Sequence, residues 1–368
     1  MLIDNITFFN LYNLIYFCTA CLVVMSALSM EVKKDIFFQN RLSQYLVLLP
    51  LISLIFIVGF REYNVGTDTL NYYNLLWVNN LEINFSGEFL FNLIALLFRG
   101  LDLGFNFFLL LISSFFYIFL YKSLKIYSEI YKSNLLISFF ICISFFFFLS
   151  TSINIIRQGL SLVFLMLAFS FWIKRGGGQK IIFLILFSLA LHSTSLIPVL
   201  IFLFCTFILK FKVIYLFILF YFVSILLAYL DFGLLNISPL FLEFLGQERR
   251  VGYLSDDGAE FYEVGFKPQF VIFNTLFLFL FLYIRENILD FYLKDKYSIL
   301  LGYYIISSII FFMAFDIAFS DRWGLFSWLS IPFLVIPLFY SPFVKGGIKI
   351  HYILMFIVIY VGFNLYVL

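Results

Sequence analysis

Along this chain, apolar stretches of about 20 residues alternate with short polar connections from one end to the other. Cutting at the charged residues gives apolar runs at 7–29, 43–60, 104–121, 135–151, 155–173, 181–194, 196–209, 213–230, 268–285, 298–316, 323–340 and 350–367. A helix needs about 20 such residues to cross the hydrocarbon core of a bilayer, and helices satisfy every backbone group internally. The pattern therefore predicts an all-α polytopic membrane protein with about 11–12 transmembrane helices in one integral domain, 1–368. The runs 181–194 and 196–209 are short and meet at Leu191-His-Ser-Thr-Ser-Leu-Ile-Pro198. They read either as two tilted spans or as a broken, partly re-entrant pair. The first run, Phe8 to Ser29, is too long for a signal-peptide core and follows no basic leader, so it reads as a retained span.

Composition agrees and excludes a soluble domain. The chain is 64% hydrophobic and 12% charged, with a mean hydropathy of +1.07, against roughly 45–50% and 25% for soluble proteins. The 56 Phe, with abundant Ile, Tyr and Lys, fit an AT-rich gene and need not mark aromatic sites. Charge placement sets orientation. Sixteen of the 23 basic residues fall on alternate connections, at Lys33, Lys34, Arg41, Lys122, Lys125, Lys132, Lys174, Arg175, Lys180, Lys210, Lys212, Arg285, Lys294, Lys296, Lys345 and Lys349. Those connections belong in the cytoplasm, which leaves both termini outside. Two outer segments are long. The first, 61–103, includes the apolar stretch from Glu88 to Arg99, too short to span and better suited to lie at the interface. The second, 231–267, carries the polar Gln247-to-Gly258 stretch and reads as a candidate gate over an outward cavity.

The outer face differs in kind from the inner one. Its basic residues are Arg61, Arg99, Arg157, Arg249, Arg250, Lys267 and Arg322. The planar fork of Arg grips carboxylate or phosphate bidentately, so an Arg-rich outer face points to anion recognition. The other reading is that these Arg pair with outer acids such as Asp68, Asp102, Glu248 or Asp321. Cys18, Cys21, Cys142 and Cys205 all fall within apolar runs and read as small core residues, with neither disulfide nor metal expected. His351 sits at a helix end, whereas His192 lies among Ser193, Thr194 and Ser195 where a helix pattern breaks. His192 reads as a buried structural histidine or as part of the outer cluster.

The densest polar block is Gly59-Phe-Arg-Glu-Tyr-Asn-Val-Gly-Thr-Asp-Thr-Leu-Asn-Tyr-Tyr73. Charge within a bilayer costs about 2.5–3.5 kcal/mol per residue, so it is kept mainly where it faces water, a partner or substrate. Ser152-Ile-Asn-Ile-Ile-Arg157-Gln158 opens one span and Phe319-Ser-Asp321-Arg322-Trp323 opens another. Helix N-termini favour anions through backbone amides and the helix dipole. Arg61, Arg157, His192 and Arg322, from four spans, are expected to converge at one level.

In order, Gly-Phe-Arg-x4-Gly-Thr-Asp-x3-Tyr (Gly59 to Tyr72), Ile156-Arg157-Gln158, Ala190-Leu191-His192-Ser193-Thr194-Ser195 and Asp321-Arg322 resemble the Wzy-type O-antigen polymerase and EpsG-like exopolysaccharide polymerase family. The resemblance covers roughly residues 55 to 325. It implies a GT-C-like membrane glycosyltransferase, with no cofactor, in the bacterial inner membrane and with its active site facing the periplasm. Its substrates would be oligosaccharide repeat units on undecaprenyl diphosphate, as both donor and acceptor. A chain-length regulator would be its protein partner, and nothing points to nucleic acid. On that footing Arg157, His192 and Arg322 are expected to hold the diphosphate, and Asp68 to act as base on the acceptor hydroxyl. Arg61, Thr67, Tyr72, Tyr73, Gln158 and Asp321 are expected to bind substrate. Two of these residues carry a second reading: Arg61 can pair with Asp68, and Asp68 can cap a helix over Leu70 to Val78 through an Asx-type turn. The competing functions are a flippase of lipid-linked oligosaccharide and an O-antigen ligase. A flippase would show charge through the depth of the bundle and two-fold repetition, and neither is visible.

Overall fold

A computed structural model of the protein describes residues 2–32, 36–79, 89–175, 178–208, 213–237, 264–339 and 350–367. These residues are helical wherever they are regular; the one extended pairing among them is an isolated bridge between Ile3 and Arg61. The all-α polytopic expectation is met. Among the described residues, seven helices are long and apolar enough to cross a membrane, and an eighth crossing is counted if the bent pair Leu135–Ile143 and Phe146–Ile153 is one span. The other expected runs are helical but shorter: Gln179–Leu191, Ser193–Ile208, Ile214–Tyr229 and His351–Gly362. Phe89–Gly100, expected to lie flat, is a helix of 12 residues.

The chain forms two compact units, Met1–Leu196 with Val335–Leu368, and Ile197–Leu334. In the first, α1 (Asn5–Val32), α2 (Ile36–Leu46) and α3 (Leu48–Gly59) lead to a loop and the short α4 (Thr69–Tyr73). Next come α5 (Phe89–Gly100), α6 (Phe105–Ile130), α7 (Leu135–Ile143), α8 (Phe146–Ile153), α9 (Ile156–Arg175) and α10 (Gln179–Leu191). Helices α6 and α9 run parallel: Phe119 meets Phe164 at 4.2 Å between ring centroids, Ser123 Oγ is 2.6 Å from Ser170 Oγ, and Glu129 pairs with Lys174. The offset between partners stays near 45 residues throughout, as only parallel helices allow.

Two parallel neighbours require a return crossing between them, and α7 with α8 supplies it. The pair starts beside the Glu129 end, where Ser128 and Ser138 share a 2.9 Å hydrogen bond. It finishes at Ile153, whose carbonyl accepts from Arg61 at the other end. The 80° bend between α7 and α8 therefore sits within a broken crossing and not in a loop that turns back. The 80° bend falls here, while 181–209 is interrupted at His192, where its two short runs meet. Asn134 caps α7 by accepting from the backbone amides of Leu136 and Ile137. The last helix, α18 (Ile350–Val367), packs on the first: Tyr16 and Tyr360 stack at 3.5 Å, and Tyr16 Oη donates to Phe356 O at 3.2 Å.

The second unit contains α11 (Leu196–Ile208, apart from its first residue), α12 (Ile214–Tyr229), α13 (Leu234–Ile237), α14 (Pro268–Asn287), α15 (Phe291–Met313), α16 (Asp321–Trp328) and most of α17 (Ile331–Val335). Its polar core is Asn274 on α14, fully buried. The Asn274 amide donates to Ser308 Oγ at 3.1 Å and Ser327 Oγ at 3.4 Å, and its Oδ1 accepts from Trp328 Nε1 at 2.9 Å. Tyr304 Oη donates to the Asn274 carbonyl at 2.7 Å. One amide thus ties α14 to α15 and α16, with its polar atoms satisfied inside the apolar core. Residues 238–263, which include most of the candidate gate, lie outside the described residues.

Candidate functional site

The signature loop begins where α3 ends. Arg61 is 1% exposed. Its Nε donates to Thr69 Oγ1 at 3.3 Å, Nη1 to the Val58 carbonyl, and Nη2 to the Ile153 carbonyl at 3.2 Å. Burial pulls its pKa down to about 10, so it stays a cation at neutral pH. The expectation that Arg61 pairs with Asp68 gives way to this arrangement: its donors go to two carbonyls and a hydroxyl. The guanidinium is committed to the protein as a brace.

Thr69, also buried, completes the brace. Its Oγ1 bonds the Val65 carbonyl at 2.7 Å and lies 3.3 Å from the Ile153 carbonyl. Gly66 has φ +84°, the left-handed turn that glycine adopts without cost. The Thr67 backbone amide then donates to Asn154 Oδ1 at 2.8 Å, while the Thr67 side chain is exposed. Asp68 precedes α4 but makes no side-chain cap bond, so the expected Asx-type cap over Leu70 to Val78 is replaced by the Thr69 contacts. α4 runs only to Tyr73 and passes into a π-helical turn, Asn74–Val78. Arg99 Nη1 donates to the Leu76 and Asn79 carbonyls, both at 3.1 Å, and so terminates that turn. Arg99, one of the outer arginines that suggested anion recognition, is occupied as a cap.

The loop brings α4 beneath the head of α9. Tyr72 is buried, and the Arg157 guanidinium carbon lies 5.1 Å from its ring centroid, a cation–π contact. Arg157 is half-buried in the first turn of α9, and Gln158 beside it is buried. Gly159 lets α8 fold tightly against α9, because a Cβ there would meet the Thr151 carbonyl oxygen at 2.5 Å. Tyr73 stacks on Tyr63 with centroids 4.3 Å apart, and Trp77 packs on Phe105 and Phe108. Of the aromatics expected to meet sugar, Tyr73 stays half-exposed at the edge and Tyr72 does not.

His192 reaches the same level by a separate device. It occupies an extended break after α10, followed by a 3₁₀ turn, Ser193–Ser195. Ser161 on α9 hydrogen bonds Ser188 on α10 at 2.7 Å between hydroxyls, and also bonds the Ser195 hydroxyl. The two helices form an antiparallel hairpin through this staple. Four residues from Ser161 back to Arg157, and four from Ser188 on to His192, each rise about 6 Å toward the same end. Arg157 and His192 therefore lie at one depth on neighbouring helices. In the second unit, Asp321 and Arg322 are half-exposed at the start of α16. The Arg322 guanidinium lies 5.1 Å from the Phe319 ring centroid, and Phe319 has φ +58°. Lys267 Nζ donates to Ser320 Oγ at 3.1 Å, which places a second cation beside that helix head.

Three residues escaped the sequence reading: Asn154, Thr69 and Ser161. Asn154 and Thr69 stood inside the quoted motifs, but nothing in their spacing tells that Asn154 meets Thr67 across 87 residues and Thr69 meets Ile153 across 84. Among the described residues no three His, Cys, Asp or Glu side chains gather as a metal site would need. Comparison with known proteins found no match among curated proteins and none among solved structures. A family model, described as the EpsG family, matches residues 44–368 and so takes in the signature loop, the heads of α9 and α16 and the His192 break. The chain is a multi-pass membrane protein that belongs to the EpsG family.

Proposed function

We propose that this protein polymerises undecaprenyl-diphosphate-linked oligosaccharide repeat units into a surface polysaccharide at the periplasmic face of the inner membrane. The growing chain is transferred from its lipid carrier to the non-reducing end of a new lipid-linked unit, and undecaprenyl diphosphate is released. The observation that carries this reading is the setting of Arg157. A cation that always carries its charge stands in the first turn of a 20-residue helix, over Tyr72 of the signature loop and level with His192. Backbone amides and the dipole at that helix start favour the same anion as the guanidinium does.

In this mechanism Arg157 and the first turn of α9 bind the donor diphosphate, with His192 as a further hydrogen-bond partner. The acceptor hydroxyl forms a bond to the anomeric carbon as the bond from that carbon to the diphosphate oxygen breaks. The charge that grows on the leaving oxygen is what the Arg fork stabilises. Asp68, half-exposed and without a capping duty, takes the hydroxyl proton. Gln158 flanks Arg157 and orients it, while Thr67 and Tyr73 line the sugar side. The signature-loop Arg61 supports this site from beneath and does not touch substrate.

The test is deletion of the gene in its host, complementation with wild type or Arg157→Ala, and separation of the surface polysaccharide on a gel. The expected result is a ladder restored by wild type and a single repeat unit with Arg157→Ala at normal membrane level. An intact ladder with Arg157→Ala overturns the assignment. Loss of even the single unit on deletion points to translocation or ligation in place of polymerisation.

A further inference from the structure

The break between α8 and α9 does more than end a helix. At this junction the Ile153 carbonyl accepts from the Arg61 guanidinium at 3.2 Å, and Asn154 Oδ1 accepts from the Thr67 amide at 2.8 Å. The Asn154 amide nitrogen is anchored in turn by Ser150 Oγ at 3.3 Å, on the preceding turn. The loop is shaped to this acceptor. With φ at +84°, Gly66 turns its backbone so closely over Asn154 that a Cβ there would stand 2.4 Å from Oδ1. Arg157 follows Asn154 by three residues, and Tyr72 follows Thr67 by five, and these two side chains are the pair in contact.

We propose that Asn154 is a positioning residue, a latch that fixes the signature loop in register with the head of α9. Its side-chain oxygen holds the Thr67 amide, and through it the Asp68–Tyr72 turn is set opposite Arg157. The carbonyl of Ile153 alone cannot fix that register, because it engages Arg61 and Thr69 on the inner side of the loop and leaves the Gly66–Thr67 turn free to swing. The latch makes no contact with substrate. It acts by keeping the carboxylate of Asp68 and the guanidinium of Arg157 at constant separation while sugar and diphosphate come and go. The inference rests on the reading of Arg157 and Asp68 given above.

The experiment uses full-length protein in lipid nanodiscs and the deletion host in parallel. Hydrogen exchange over residues 61–72 reports the latch, and the polysaccharide ladder reports the reaction. Asn154→Ala is expected to raise deuterium uptake in that segment and to cut polymer at least about tenfold at unchanged membrane level. Asn154→Asp keeps an oxygen acceptor and is expected to retain both readouts, whereas Asn154→Leu, of similar size without an acceptor, is expected to copy Asn154→Ala, which a merely space-filling residue would not show. Gly66→Ala, which pushes a methyl group onto the acceptor, is expected to copy Asn154→Ala. Unchanged uptake in Asn154→Ala overturns the latch. Raised uptake with a full ladder overturns the positioning role and leaves the polymerase reading untouched. If wild type itself restores no polymer, the polymerase reading falls and the positioning role with it, while the uptake still decides whether Asn154 holds the loop.

Discussion

The heads of α9 and α16 carry the same device, an arginine in the first turn of a helix, yet they are held in opposite ways. The head of α9 is braced by a loop almost 90 residues earlier in the chain. Arg61, Thr67 and Thr69 all end on Ile153 or Asn154. The head of α16 is anchored at its far end, where Ser327 and Trp328 hydrogen bond Asn274 within the apolar interior. Its near end rests on local turns, with Phe319 at positive φ and Lys267 on Ser320. An arginine braced by a loop can be moved by changes in that loop. An arginine anchored through a packed core can be moved only by changes in the core.

The largest expected effect is on the reaction itself. Arg157→Ala should lower polymer by about 10²–10³-fold, the loss typical when one preorganised charge donor is removed. Arg157→Lys should recover little, since it keeps the charge but not the fork. Equal ladders from the three proteins would break the parallel between the two heads. Next comes the brace. Arg61→Ala removes the side-chain donor of the Val58 carbonyl and leaves the Ile153 carbonyl with Thr69 alone in a buried site, and should cost about 3 kcal/mol of stability. Thermal unfolding in detergent would measure this, and hydrogen exchange should rise over 153–160 while 321–328 stays protected. A rise in both segments would mean that the two heads are not independently built.

Asn274→Ala should do the converse, at about 2 kcal/mol, by orphaning the buried Trp328 indole and removing the amide donor to Ser308 and Ser327. Exchange should then rise over 321–328 and not over 61–72. The smallest effect belongs to Arg99→Ala. Of its two carbonyl partners Asn79 is exposed and Leu76 is buried, so about 1 kcal/mol is expected. It should appear as fraying of Asn74–Val78 with the ladder intact; loss of the ladder would give Arg99 a role beyond capping.

Much of the bundle was legible in the sequence, because burying about 20 apolar residues in lipid leaves little choice but helix. Each of the twelve apolar runs is helical in whole or part, and 104–121, 155–173 and 268–285 start within a residue of α6, α9 and α14. The bend between α7 and α8 was not legible. Leu135 to Ile153 is apolar on all sides and contains neither Pro nor Gly, so no residue marks Ser144 as a corner. The site was legible by residue type and not by partner. The run Gly59 to Tyr73 announced an unusual loop, and its Arg61 looked like a phosphate ligand because arginine beside a bilayer usually serves an anion. What decided otherwise was three oxygen atoms, two of them main-chain carbonyls, which no side-chain pattern encodes. His192 shows the reverse. Its depth follows from Ser161 and Ser188, two unremarkable serines in apolar helices whose meaning appears only when the helices lie side by side.

The packing of the last helix on the first has a consequence for how the protein is made. Tyr16 meets its partner carbonyl 340 residues later in the chain. At about 5–20 residues per second, roughly 20–70 s pass between synthesis of the two. Through that interval the first helix resides in the membrane with the face that α18 covers still open, and the Tyr16 hydroxyl has Ser144, 128 residues on, as its earlier partner. Assembly of the first unit therefore closes only once α18 has been made. A ribosome stalled anywhere before Phe356 leaves a recognisable gap for membrane quality control to find.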